Sequence, residues 1–517
     1  MKKYLAPFCL IFLLFSCGSD DSKNKKDKKS AVKIGKADLS MQSDAVSFIS
    51  NQDDVIAYGS IKMNQILDKG YYSSKIASSD VLNSAVAKEA ISEIERIKSY
   101  VNMDIPMYYA VKGSDNIADF EFLIFGGIND RDALIDELKA LPVEPFISNQ
   151  KQYKLIEIPN ASMAMTKDRF VLSLSPEDAK LNRRNIDRYF SLFKGEKNKK
   201  VDQVFAHSKD ATFAYDYGKL MDVVFNYLRT EGVEGMDPNI FRTMERLKEM
   251  DLTASMDIAF ESGSISTQMN IYSSNLAEWE KLMGPNSKGI ISKLGQGTPF
   301  AGFVANLNVE EYQKLLYEWY PEGIVNYLAS LNLDEEIPYE LLEMENTLRE
   351  DGFKSFIGGE FGMMLYNIPN DIDNEIPEMS FYANIGENLK QLIDENPLPE
   401  MEENNMQIDV QNDRINIYSK NHAPNGSGPK MKSKLSHLGS KPVTGFIDLS
   451  QIPTNDLPRD LRDIRPIIEM LDFVDMEMDM TGGHLTLHFK DKSKNALTQI
   501  VDTIMEISMN LMTEGLF

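Results

Sequence analysis

The sequence predicts an α+β fold of repeated strand–helix and β-hairpin–helix units, with mainly antiparallel sheets covered by helices. Three observations predict it: three hairpin patterns, several apolar stripes at helical spacing, and four related strand-to-helix stretches.

The hairpins come first. Met256, Ile258 and Phe260 alternate on one arm and Ile265, Thr267, Met269 and Ile271 on the other, around Glu261-Ser262-Gly263-Ser264. Ile408 and Val410 face Ile415 and Ile417 around Asn412-Asp413. The third runs from Val474 to Lys490, with Gly482-Gly483 expected as its turn. That turn would pair Asp479 with Thr486, Glu477 with His488 and Asp475 with Lys490. Asp475, Glu477 and Asp479 would then form a solvated, charge-paired face, each pair contributing about 0.2–1 kcal/mol. A Ca²⁺ site there is rejected on that ground.

Helical spacing joins Val86, Ala90, Ile94, Ile97 and Val101, then Leu134, Leu138 and Leu141, then Leu497, Ile500, Val501, Ile504, Leu511 and Met512. The repeat is seen in Val55–Ile61, Ala211–Tyr217, Phe300–Leu307 and Val443–Leu449. Each is a strand with small residues running through a polar step toward a helix. The hairpins at 255–272 and 474–490 are also followed by helical patterns, near Asn275 and Ser493.

The N-terminus carries an address. Met1-Lys2-Lys3 precedes an apolar run from Tyr4 to Phe15, shorter than the roughly 20 residues a bilayer span needs. Ser16 and Cys17 close it in the manner of a bacterial lipobox, with Phe15 where most lipoboxes carry a small residue. Cys17 is the expected lipid attachment. Gly18-Ser19-Asp20-Asp21 resembles a tag that exports lipoproteins to the outer face of the outer membrane, with Ser19, Asp20 and Asp21 as the signal; the alternative is the periplasmic leaflet. Residues 23–30 (KNKKDKKS) read as a tether. Cys9 leaves with the signal, so no disulfide, catalytic thiol or Cys-ligated zinc is expected.

The expected domains are a signal at 1–16, an acylated tether at 17–40, an α+β region at 41–285 and a second at 286–517. The seam is placed in the Gly-, Ser- and Pro-rich stretch 285–298. The chain is 42% hydrophobic with a formal charge of −24, which becomes −26 once Lys2 and Lys3 are removed. An acidic surface of this size repels nucleic acid and anionic headgroups, so no nucleic-acid partner is expected.

Residues 45–490 resemble an uncharacterised, domain-of-unknown-function lipoprotein family of Bacteroidota. The resemblance rests on Asp104–Val111, Phe122–Gly126, Ile258–Ile265 and Phe356–Gly362. It implies no catalytic residues and no activity, and it agrees with the lipobox.

Catalytic and metal-binding material is sparse. Of five histidines, His484 and His488 lie on one predicted strand, roughly 13 Å apart at about 3.3 Å per residue. His422 and His437 lie in a polar loop. No phosphate-binding or nucleophile-elbow motif occurs. Ser427–Lys430 and Ser191–Lys194 fit SxxK, and Ser114-Asp115-Asn116 reads SDN, but the order is reversed and no KTG follows. Asp371–Glu375 reads as a solvated acidic loop, without the glycine and distal glutamate of an EF-hand. No metal, cofactor or catalytic residue is assigned.

Tyr312, Leu315, Leu316 and Trp319 share a helical face, leaving Tyr317 and Tyr320 as candidate exposed aromatic contacts. Residues 421–441 are basic and free of acids within an acidic chain. They read as a flexible surface loop, whose functional version is a docking segment for an acidic partner. The resulting expectation is a lipid-anchored envelope protein on the outer membrane, at the cell surface. It would touch the membrane through its lipid and act as a non-enzymatic binding or assembly module for a protein or polysaccharide partner. The alternatives are a carboxylate-dependent glycan hydrolase and an apolar-ligand carrier, for which 28 methionines supply adaptable surface.

Overall fold

The computed structural model describes residues 36–52, 54–70, 96–113, 120–139, 145–158, 161–174, 186, 197–230, 245–246, 248–321, 323, 339–368, 376–396, 405–452, 454 and 465–513. Residues 14–21 and 23–30, Val86, Ala90, Ile94, Leu141, both Ser114–Asn116 and Ser191–Lys194, and the acidic loop 371–375 lie outside them. Helices and antiparallel strands alternate along the described chain, which is the mixed architecture the patterns predict. Among the described residues no helix is long and apolar enough to cross a membrane. The chain divides into two units, one comprising 1–233, 252–267 and 491–517 and the other 234–251 and 268–490. The stretch 285–298 lies inside the second.

In the first unit the strands are β1 (Val55–Ile61), β2 (Val101–Asn102), β3 (Met107–Lys112), β4 (Glu121–Ile128), β5 (Phe146–Asn149), β6 (Lys154–Ile158), β7 (Ala161–Met165), β8 (Arg169–Leu174), β9 (Ala211–Asp216) and β10 (Thr253–Glu261). They pair antiparallel in the order β10–β9–β1–β3–β4–β8–β7–β6–β5, with short β2 beside β4. Val101, expected on a helical stripe, instead opens β2 opposite Ile128. A strand surrounded by tertiary partners overrides a local helical period.

Helices cover both faces of this sheet. The helix Lys36–Ser50 sets Phe48 against Phe125 at 5.1 Å between ring centres, and the helix Lys199–Ala206 sets Phe205 against Tyr108 at 5.2 Å. On the other face Met63, Leu67, Leu134 and Ile135 join Ile156, Met165, Phe170 and Leu172 in one core. Each side chain buried there contributes about 1.5–3 kcal/mol. The C-terminal helix Ala496–Thr513 buries Leu497 and Val501 but leaves Ile504 41% exposed, so its apolar stripe is only partly turned inward.

The second unit holds most of β11 (Ser264–Tyr272), then β12 (Ala301–Asn306), β13 (Ile357–Leu365), β14 (Met379–Ile385), β15 (Met406–Gln411), β16 (Arg414–Ser419), β17 (Val443–Ile447), β18 (Leu471–Asp479) and β19 (Gly482–Phe489). Their antiparallel order is β19–β18–β17–β12–β13–β14–β16–β15, with β11 beside β19. The β15–β16 hairpin has the expected register, with Ile408 opposite Ile417 and Val410 opposite Ile415. One face packs on a core of Ile290, Leu294, Val304, Met364, Tyr382 and Phe446, capped by Leu435 and Leu438.

The third hairpin differs from its expectation in two respects. Met480-Thr481 makes the turn, where Thr481 donates its N–H (2.8 Å) and Oγ1 (2.6 Å) to Asp479 Oδ1. The register is therefore Asp479 with Gly482, Glu477 with His484 and Asp475 with Thr486, which moves each partner by four residues. The acidic face is also the covered one: Asp475 is 3% and Glu477 4% exposed. Gly482 serves a close approach, since a Cβ there would stand 2.2 Å from the Met269 carbonyl, and its φ is +134°.

Candidate functional site: a basic segment clamped on an acidic strand

Period-2 alternation puts Asp475, Glu477 and Asp479 on one side of β18. That side faces residues 432–441. The basic, acid-free segment expected to be a flexible loop is thus held against carboxylates of its own chain.

Glu477 is the centre of the contact. Its Oε1 accepts the N–H groups of Gly439 and Ser440, each at 2.8 Å, and lies 3.3 Å from Thr444 Oγ1. Its Oε2 accepts Ser440 Oγ at 2.9 Å. Asp475 sits between two imidazoles, with His437 Nε2 at 2.7 Å from Oδ2 and His488 Nε2 at 3.1 Å from Oδ1. His488 is fixed by stacking on Phe473, with centroids 3.9 Å apart. Lys441 pairs with Asp479.

A second group of charges closes the same segment. Asp448, with a fully buried side chain just after β17, pairs with Lys432 and accepts from Lys434 Nζ at 2.7 Å. Lys434 also reaches Asp472 at 2.7 Å and lies 4.7 Å above the Phe473 ring. Asp448 further accepts Ser450 Oγ (2.6 Å) and Gln451 Nε2 (2.9 Å). Burial alone would raise the carboxyl groups of Asp448, Asp475 and Asp479. Hydrogen bonds outweigh it in each, from Lys432 and Lys434 on Asp448, from His488 and His437 on Asp475, and from Lys441 and Thr481 on Asp479. All three are held below the ordinary carboxylate range.

Earlier in the segment His422 stacks on Tyr366 at 3.7 Å, with Nδ1 2.8 Å from the Gln296 carbonyl and Nε2 2.8 Å from Glu378. Both flanks of residues 422–441 are therefore anchored.

The two tyrosines differ from their assignment. Tyr320 is 5% exposed and is no surface aromatic. Tyr317 is half-buried, in an edge-to-face contact with Phe353 at 6.0 Å and with the Arg349 guanidinium 4.6 Å from its ring centre, so it is engaged within the chain rather than freely exposed. Burial and neighbouring Glu345 push its phenol up to about 12. Cys17, Ser19, Asp20 and Asp21 lie outside the described residues.

No family model and no curated protein matches the chain. Among solved structures, three crystal forms of TP0453 are similar over part of it. Form IV is 9% identical at a TM-score of 0.28, covering 44% of this chain and 79% of that one. Form III is 9% identical at 0.22, covering 72% and 92%. Form I is 8% identical at 0.26, covering 45% and 79%.

Among the described residues no group of three or more His, Cys, Asp or Glu is disposed to hold a metal ion. The carboxylates of β18 already accept several hydrogen bonds, and the arrangement performs a latching task, holding residues 432–441 against the sheet. Sequence reading identified the acidic strand and the basic segment separately and missed their partnership. Their opposite charge, within one unit and about 40 residues apart, was the available signal.

Proposed function

We propose that the chain is a lipid-anchored envelope protein, acylated at Cys17 and carried to the outer membrane, where it acts as a non-enzymatic binding or assembly module at the cell surface. The observation that carries this reading is Phe15-Ser16-Cys17 at the end of a short apolar run, followed at once by Ser19-Asp20-Asp21. Membership of the Bacteroidota lipoprotein family belongs to the same proposal.

The module is proposed to be an internal duplication of α+β units. Two sheet orders support this reading. β10–β9–β1–β3–β4–β8–β7 and β18–β17–β12–β13–β14–β16–β15 carry their strands in matching chain order. β1 and β12 begin the two series, and each runs within three residues into a helix, Met63–Lys69 or Val309–Trp319.

The test is palmitate incorporation into wild-type protein and Cys17→Ala in cells, with protease shaving of intact cells. Label on wild type alone and digestion without breaking the outer membrane are expected. Equal labelling overturns the anchor; protection until the membrane is broken overturns the surface location.

A further inference from the structure

The chain contains one Asn-Gly pair, Asn425-Gly426, near the start of the basic segment and exposed to solvent. The turn around it is tied down on both sides. Pro424 bridges to Gly295, Ala423 accepts the Gln296 N–H at 3.3 Å, and Lys430 donates its N–H to the Gly297 carbonyl at 2.7 Å. Within the turn Asn425 Oδ1 accepts from Ser427 twice, from N–H at 3.0 Å and from Oγ at 2.6 Å. Asn425 Nδ2 donates to Gln296 Oε1 at 3.2 Å.

We infer that Asn425 modifies itself: the Gly426 nitrogen closes on its side-chain amide and water opens the ring, leaving an aspartyl or isoaspartyl residue. In the first step the Gly426 nitrogen bonds to Asn425 Cγ and gives its proton to solvent. The Cγ–Nδ2 bond then breaks, and Nδ2 takes up a proton and leaves as ammonia. Solvent water adds to either carbonyl carbon of the cyclic imide. Three features favour the step here. The two Ser427 donors polarise the Asn425 carbonyl and meet the charge that develops on Oδ1 as nitrogen adds, as an oxyanion site does. The nucleophile is available, since the Gly426 N–H has no acceptor among the described residues. Gly426, at φ +79° and with open space where a Cβ would stand, puts no side chain in the path. Asn286 supplies the contrast. Its Oδ1 accepts the Lys288 N–H at 3.2 Å in the same kind of turn, but the intervening Ser287 N–H is bonded to the Lys441 carbonyl at 3.0 Å and Ser287 is buried. The product at 425 adds a negative charge to a stretch without acids and removes the donor to Gln296. Nothing in this step depends on the lipid anchor.

The test incubates the full-length chain in mildly alkaline buffer made with heavy-oxygen water, both folded and in urea, and follows residues 425 and 286 by peptide mass mapping. Label is expected at 425, in a mixture of aspartyl and isoaspartyl peptides, at least as fast in the folded chain as in urea, with Asn286 unchanged in the fold. Ser427→Ala should slow the folded chain about tenfold, less than the loss of an oxyanion donor costs in a water-excluded site, and leave the rate in urea unaltered. Asn425→Gln, whose longer side chain cannot close the same ring, should carry no label there. Slower conversion in the fold than in urea, equal folded rates for wild type and Ser427→Ala, label in Asn425→Gln, or Asn286 converting as fast as Asn425 in the fold overturns the inference. If Ser427→Ala fails to fold, the wild-type comparison of folded and unfolded chain decides.

Discussion

Thr212 Oγ1 donates to Asp257 Oδ1 at 2.6 Å, directly across β9 and β10, and both residues are buried. Thr444 and Glu477 face each other in the same way across β17 and β18. Each unit thus buries a hydroxyl–carboxylate pair beneath a strand whose other side is apolar. The carboxylates differ in company. Burial holds Asp257 above its ordinary value, with Thr212, His207, Lys209 and Lys62 only partly offsetting it, whereas Glu477 receives hydrogen bonds from the clamp.

Asp257 therefore makes a prediction with a definite sign. Its folded pKa lies above the ordinary 3.8, so the native state binds its proton more tightly than the unfolded chain. Stability falls as pH rises from 3.8 through the folded value. Asp257→Asn removes that fall, and its stability relative to wild type should be higher at pH 7 than at pH 3 in urea titrations. A difference independent of pH would contradict the assignment.

The clamp carboxylates predict the reverse. Asp448, Asp475 and Asp479 titrate below 3.8 in the fold. The stability they supply is complete above that value and is lost as pH falls through their lower folded values. Tryptic cleavage after Lys432, Lys434 and Lys441 should be slow at neutral pH. In the Asp475→Asn/Glu477→Gln double variant it should rise at least several-fold.

Glu477→Ala strands the N–H groups of Gly439 and Ser440. At about 1–3 kcal/mol for each unsatisfied group, the variant should lose roughly 3 kcal/mol in chemical denaturation. Glu477→Gln, which keeps one acceptor oxygen, should lose less. Equal losses would remove Glu477 from the centre of the latch.

Much of the fold was legible because alternation and turn chemistry are local. The β15–β16 register follows from Asn412-Asp413 alone. The β18–β19 register did not, because Gly482 is glycine to clear the Met269 carbonyl, a demand from a distant strand that looks like a turn signal in one dimension. Alternation also told which residues of β18 share a face without telling which face is covered. Asp475 and Glu477 looked solvated because their partners lie some 40 residues upstream, and charge pairing at that range leaves no periodic trace. Tyr320 was misread for a similar reason: helical spacing ends at Trp319, and what covers the next residue is set by tertiary structure.

Tyr320→Ala should accordingly behave as a core deletion, costing about 3 kcal/mol in thermal or urea unfolding. A near-neutral effect would restore it to the surface.

Gly59→Ala is the sharpest test of the first sheet. The added carbon would stand 2.0 Å from the Thr212 carbonyl and 2.4 Å from Tyr109 Oη, whose hydrogen bond to that carbonyl spans 2.9 Å. Strong destabilisation and loss of soluble protein are expected, while Gly289→Ala, which meets nothing within 4 Å, should fold normally. Similar behaviour of the two variants would refute the close approach at β1.

Mass spectrometry of the N-terminal peptide from envelope-purified protein tests the lipid anchor most directly. It should begin at Cys17 and carry a diacylglyceryl group on Sγ. A peptide that begins elsewhere, or an unmodified Cys17 thiol, would contradict it.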